Sequence, residues 1–164
     1  DWQATEKLGF RANGGLEERH YQGVNLDRLG FVFGLAADWK AGEKTTVGLS
    51  AQRGQKPSNS NGNTINEETS VNLTVRHRLV DQWSLSFDSG YSFAHYTATQ
   101  VGPVATGAIR NDEYYYLKPG VAYRVMERAQ ASVFYQYRRN NSNLANNGND
   151  FYNNQLGVEL SYRF

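Results

Sequence analysis

Apolar and polar residues alternate along this chain with a period of two. Leu8, Phe10, Ala12, Gly14 and Leu16 interleave with Lys7, Gly9, Arg11, Asn13, Gly15 and Glu17. In WSLSFDSGYSFA the alternation is clearest: Trp83, Leu85, Phe87, Ser89, Tyr91 and Phe93 fall on one side, and Ser84, Ser86, Asp88, Gly90, Ser92 and Ala94 on the other. Successive side chains of a strand point to opposite faces, so each series predicts an amphipathic β-strand. Eight series predict strands over 5–17, 29–40, 44–54, 68–80, 83–96, 112–125, 130–140 and 151–164. Pro119 lies inside the sixth, where it removes a ladder donor and predicts a bulge at Lys118 to Gly120 or a local break.

The links between these series alternate as well. Short ones (AGEK, VDQ, MERAQ) take turns with long polar ones (ERHYQGVNLDR, GQKPSNSNGNTINEE, TATQVGPVATGAIRND, NNSNLANNGND). That order is the signature of an up-and-down antiparallel sheet with tight turns at one end and long loops at the other. The predicted fold is all-β: one domain, residues 1–164, forming an antiparallel barrel of eight strands with both termini at the short-turn end.

Which face meets water decides between two barrels. A soluble lipocalin-like barrel turns its apolar face inward, whereas a transmembrane barrel turns it to lipid and fills its lumen with polar side chains. Here the polar face is rich in Gly, Ser, Thr and Asn. It also carries Lys7, Arg11, Arg76, Lys118, Arg124 and Arg138 with Glu17, Asp38, Asp88 and Glu159, the expected lumen charge network. Aromatic residues gather at strand ends, as interfacial girdles do. Trp39, Trp83, Tyr123, Tyr162 and Phe164 lie by the short turns; Tyr91, Tyr135, Tyr137 and Tyr152 lie toward the long loops. The transmembrane barrel is therefore the primary expectation, and the soluble ligand-binding barrel the alternative.

Composition supports this at the points where it discriminates. Mean hydropathy is −0.68, and the longest apolar run, LGFVFGLAADW, falls well short of the about 20 residues of a membrane helix. No basic-then-apolar leader opens the chain, which predicts a cytosolic or an already processed protein. Aromatics at 13%, 16 Gly and only three Pro disfavour long helices. The absence of cysteine excludes a disulfide scaffold and a thiolate metal site. A net charge of +1 argues against a nucleic-acid partner, which would call for a dense basic stripe.

The final strand, GVELSYRF, ends aromatic-x-Phe. With Leu160, Tyr162 and Phe164 on one face, it resembles the carboxy-terminal signal of Gram-negative outer-membrane proteins. That resemblance implies the bacterial outer membrane, periplasmic termini, and the barrel-insertion machinery as a partner. WKAGEKTTVGLSAQRG, the segment Val80 to Tyr91, and YQYRRNNSN followed by DFYNNQLGVELSYRF resemble the later part of β-barrel porins associated with exopolysaccharide systems. Barrels of that family are usually larger than eight strands, so a complete small barrel and part of a bigger one both stand. The resemblance transfers no catalytic or ligand residue.

Candidate chemistry is sparse. His20, His77 and His95 lack metal-ligand spacing, and His95 with Ser92 and Tyr96 lacks an orienting acid, so no catalytic site, metal or cofactor is expected. The lumen charges present the real choice. In a narrow barrel they form a salt-bridged plug, giving a structural or surface-interaction role; in a wider one they line a porin-like path for saccharides or small anionic solutes. Outer-membrane lipid and lipopolysaccharide are the expected surroundings. Glycan is a further candidate partner through the Asn-rich loops NSNGNTIN and NNSNLANNGND.

Overall fold

The structure is a computed structural model that describes residues 2–20, 27–57, 64–98, 110–143 and 150–162. Its elements are β1 (Trp2–Thr5), β2 (Leu8–His20), β3 (Asp27–Lys40), β4 (Thr45–Pro57), β5 (Thr64–Arg78), β6 (Trp83–Ala98), β7 (Arg110–Met126), β8 (Ala129–Ser142) and β9 (Phe151–Tyr162). They form one sheet in chain order, and every neighbouring pair is antiparallel. Among the described residues the pairing runs from β1 on one side to β9 on the other.

Eight long strands match the eight predicted series, and the first needs a correction. The expected strand 5–17 is interrupted: Thr5 pairs with Leu8 across a two-residue turn at Glu6 and Lys7, and the short β1 precedes it. Neither Gly, Asn nor Asp marks this turn, so it lacks the usual chemistry of a tight hairpin and reads as strand. Lys7 consequently sits in an exposed turn rather than on the polar face, with its amide on Thr5 Oγ1 at 3.2 Å.

At the long-loop end the strands run farther than alternation suggested. His20 pairs with Asp27, Pro57 with Ile65, and Thr64 with Ala98. Period-two patterning disappears once both faces of a hairpin meet water, yet the backbone ladder continues. On this stretch Arg53 pairs with Glu67 at 3.1 Å.

Pro119 produces no bulge. It pairs with Phe87 on β6, and the β7–β8 register is the same on either side of it, at Leu117–Tyr137 and Gly120–Phe134. Only the β7–β8 rungs at Lys118 and Pro119 are missing, which is the local break a residue without an N–H dictates. The β7–β8 register shifts instead between Arg124 and Met126, beside the short turn.

The sheet has no hydrophobic core. Among the described residues Ala94 is the sole buried hydrophobic one, whereas Leu16 is 70% and Leu160 82% exposed. Exposed residues Leu35, Leu49, Val71, Leu85, Leu117, Val121, Val133 and Leu156 continue this face across the strands. A contiguous apolar surface on that scale has no place in water and is matched by lipid hydrocarbon. The buried residues are instead polar: Gln55, Ser70, Asp112 and Asn140.

Candidate functional site

Register places the predicted charges on a common face. On β5 and β6, Arg76 opposes Ser86 and Thr74 opposes Asp88, so Arg76 and Asp88 are diagonal neighbours; their side chains meet at 2.8 Å. Arg11 and Asp38 meet by the same diagonal on β2 and β3, at 2.7 Å. Lys118 lies 3.7 Å from Glu159, reaching past β8 to β9, and its ammonium sits 3.9 Å above the Phe134 ring. Diagonal neighbours are about 7–8 Å apart at Cα, a gap that long cationic side chains close easily.

The other predicted charges lie apart from these three pairs. Glu17 is on the same face opposite Gly30, and Arg124 opposes Gln130 beside the short turn. Arg138 opposes Tyr116 on β7 and Asn153 on β9. Its Nη2 donates to Asn153 Oδ1 at 3.1 Å and to Gln155 Oε1 at 3.4 Å. Lys7, in its turn, does not join the network.

Aromatic rings also line this face, and sequence reading missed them. In EYYYLK the middle residue, Tyr115, belongs to the apolar series, which leaves Tyr114 and Tyr116 on the polar parity. Their rings lie 6.3 Å apart. Tyr116 leans across Gly90, where an added Cβ would overlap its ring, and its hydroxyl donates to Asn72 Oδ1 at 3.4 Å. Phe134 lies over Gly157 in the same way. A glycine gives each ring room to lie against the backbone instead of standing upright. Toward the long loops, Arg110 caps the Tyr96 ring at 3.7 Å and pairs with Asp112 at 3.0 Å. Strict parity counting through EYYYLK and through Phe134 would have found these residues.

The girdle residues fall on the opposite, apolar face. Trp39, Trp83 and Tyr162 are exposed near the short turns, and the Trp83 ring lies 4.8 Å from, and tilted by 47° to, that of Tyr123, whose hydroxyl donates to Gln82 Oε1. Nearer the long loops stand Tyr91, Tyr135 and Tyr152, all exposed, with Tyr137 6.1 Å from Tyr115. Tyr135 donates to Asn154 Oδ1 at 2.6 Å. Of the expected insertion signal, Leu160 and Tyr162 are exposed on this face, while Phe164 lies outside the described residues.

His77 and His95 stay separate from the polar face. His77 Nδ1 is 2.8 Å from Thr45 Oγ1, and His95 Nδ1 is 2.6 Å from Asn111 Oδ1, on the apolar parity. His20 closes β2 opposite Asp27. Among the described residues no three His, Asp or Glu side chains gather as metal ligands.

No match is found among curated proteins. The family described as outer membrane protein beta-barrel domain matches residues 1–164. An antiparallel up-and-down sheet with a lipid-matched face and a charged, ring-lined opposite face is what such a barrel requires, and the match spans the whole chain. This chain belongs to the outer membrane protein β-barrel family and is an integral protein of the bacterial outer membrane.

Proposed function

We propose that the polar face lines a hydrated passage for small hydrophilic solutes, with a preference for anions. The observation that carries this reading is that none of the pairs Arg11–Asp38, Arg76–Asp88 and Lys118–Glu159 is buried, their side chains being 23–64% exposed, whereas Arg110–Asp112 toward the long loops is enclosed at 25% and 9%. The side chains of Arg11 and Asp38 are 62% and 64% exposed, and that of Glu159 61%. Charges in a filled interior would be desolvated and would need near-complete pairing and burial. These keep their water. Among the described side chains basic residues also outnumber acidic ones on this wall: Arg11, Lys40, Arg76, Arg78, Arg110, Lys118, Arg124 and Arg138 against Glu17, Asp38, Glu68, Asp88, Asp112 and Glu159. A lumen of that balance attracts anions.

The test is single-channel recording of the refolded chain in a planar bilayer under a potassium chloride gradient. Stable conductance steps with an anion-selective reversal potential are expected; a silent bilayer would refute the passage.

A structural or surface-interacting barrel is the second reading. It is favoured by the rings seated over Gly90 and Gly157 and by the Lys118–Phe134–Glu159 contact, which knit β6 to β9 together. In either reading the short turns face the periplasm, and the long loops face lipopolysaccharide and external glycans. Neither assigns catalysis, because His77 and His95 occupy the lipid-facing side with only neutral partners.

A further inference from the structure

Arg138 differs from four of the other cations on this face. Arg11, Arg76, Arg110 and Lys118 each hold a carboxylate at 2.7–3.7 Å. Arg138 is held by the amide oxygens of Asn153 and Gln155, and among the described residues no carboxylate pairs with it. Amide oxygens orient a guanidinium without cancelling its charge. Both bonds use Nη2, and Nε is buried with no hydrogen-bond partner. Nη1 carries two further N–H donors that make no bond within the described residues, so the guanidinium can still donate to a carboxylate from that side.

The surroundings narrow the class of ligand. One row of paired residues runs Asn72, Gly90, Tyr116, Arg138, Asn153 across β5 to β9. Tyr116 lies toward Gly90 and Asn72, away from Arg138, which leaves the guanidinium flanked by amides. Adjacent rows add Tyr114, Asn140 and Gln155. Amide side chains both donate to and accept from hydroxyl groups, and tyrosine rings offer apolar faces to the C–H faces of a sugar.

We propose that Arg138, with Asn153, Gln155 and Tyr114, forms a binding station for a carboxylate-bearing saccharide. The guanidinium takes the carboxylate, the amides take the hydroxyls, and the Tyr114 ring takes the ring face. The station rests on the hydrated-passage reading for access, but its binding chemistry can be measured without conduction.

The experiment is titration calorimetry of the detergent-refolded chain with trigalacturonate, maltotriose and acetate, run beside bilayer recordings. Trigalacturonate should bind at least tenfold tighter than maltotriose or acetate, and Arg138→Gln should lose at least tenfold. Asn153→Asp leaves Arg138 in place but supplies an internal carboxylate; it should weaken trigalacturonate to a similar degree while the fold is retained, which keeps the test decisive if Arg138→Gln fails to refold. Equal affinity for the acidic and neutral sugars, or unchanged affinity in Asn153→Asp, overturns the station. Silent bilayers with Arg138-dependent binding defeat the passage and leave the station standing. Anion-selective conductance without trigalacturonate binding does the reverse.

Discussion

Lys118 stands directly opposite Asp88 in the β6–β7 ladder, yet the two do not pair. Asp88 turns to Arg76 on β5, 2.8 Å away, and Lys118 turns the other way, over the Phe134 ring to Glu159 on β9. Gly90 and Gly120 flank this rung on the polar face, opposite Tyr116 and Phe134 respectively. The polar face is thus divided into local pairs, Arg76–Asp88 between adjacent strands and Lys118–Glu159 across β8.

Removing Asp88 tests how wet that wall is. The Arg76–Asp88 side chains are 47% and 23% exposed, so solvent screens the pair and Asp88→Ala should cost less than about 1 kcal/mol in urea unfolding. The freed arginine should shift the reversal potential further toward anions. A loss of about 3–5 kcal/mol, the cost of stranding a buried charge, would point to a filled interior instead.

Facing predicts a depth-dependent cost for charge on the apolar side. Leu73 pairs with Leu49 and Ser89, well inside the strands, so Leu73→Arg should destabilise by about 2–4 kcal/mol in liposomes. Leu85 lies two residues from Trp83 and near the short-turn interface, so Leu85→Arg should cost less, about 0–1 kcal/mol if it reaches the headgroups. Equal costs at both positions would contradict the assigned depth.

Labelling reads the same assignment without a charge. Single cysteines from Trp83 to Phe93 should react with a lipid-soluble probe at odd positions and with a water-soluble one at even positions. Reversal of the two patterns would restore the soluble barrel.

Glycines on the polar face separate packing from propensity. At Gly90 an added Cβ would overlap Tyr116 and Asn72, so Gly90→Ala should lose about 1–3 kcal/mol and displace the tyrosine ring. At Gly54 nothing lies within 4 Å of the added carbon, so Gly54→Ala should be close to neutral. Thermal melting in detergent compares them, and matched losses would remove the ring-seat argument.

The alternating series made the strands, their order and their two faces legible without coordinates. A membrane-spanning strand must satisfy its backbone in the ladder and divide its side chains between lipid and lumen, and that division imprints a period of two on the chain. Arg11, Asp38, Arg76, Asp88, Lys118 and Glu159 were all assigned to the polar face on parity alone, and they stand there. The turn at Glu6 and Lys7 was hidden because its residues have no turn chemistry. Strand ends beyond the membrane were hidden because water on both sides erases the pattern while the backbone ladder persists.

Parity assigns a face but not a partner. Which cation meets which carboxylate depends on strand register and on the direction in which each side chain leans, and both arise only when five strands lie side by side. Tyr116 crossing Gly90, Lys118 passing over Phe134, and Arg138 held by Asn153 and Gln155 are contacts between residues far apart in the chain. The sequence alone determined an apolar, lipid-facing side and a polar side, because each strand encodes them locally. Tertiary structure alone decided that four cations of the polar face are paired and Arg138 is held by neutral amides, because pairing is a property of neighbouring strands rather than of any one of them.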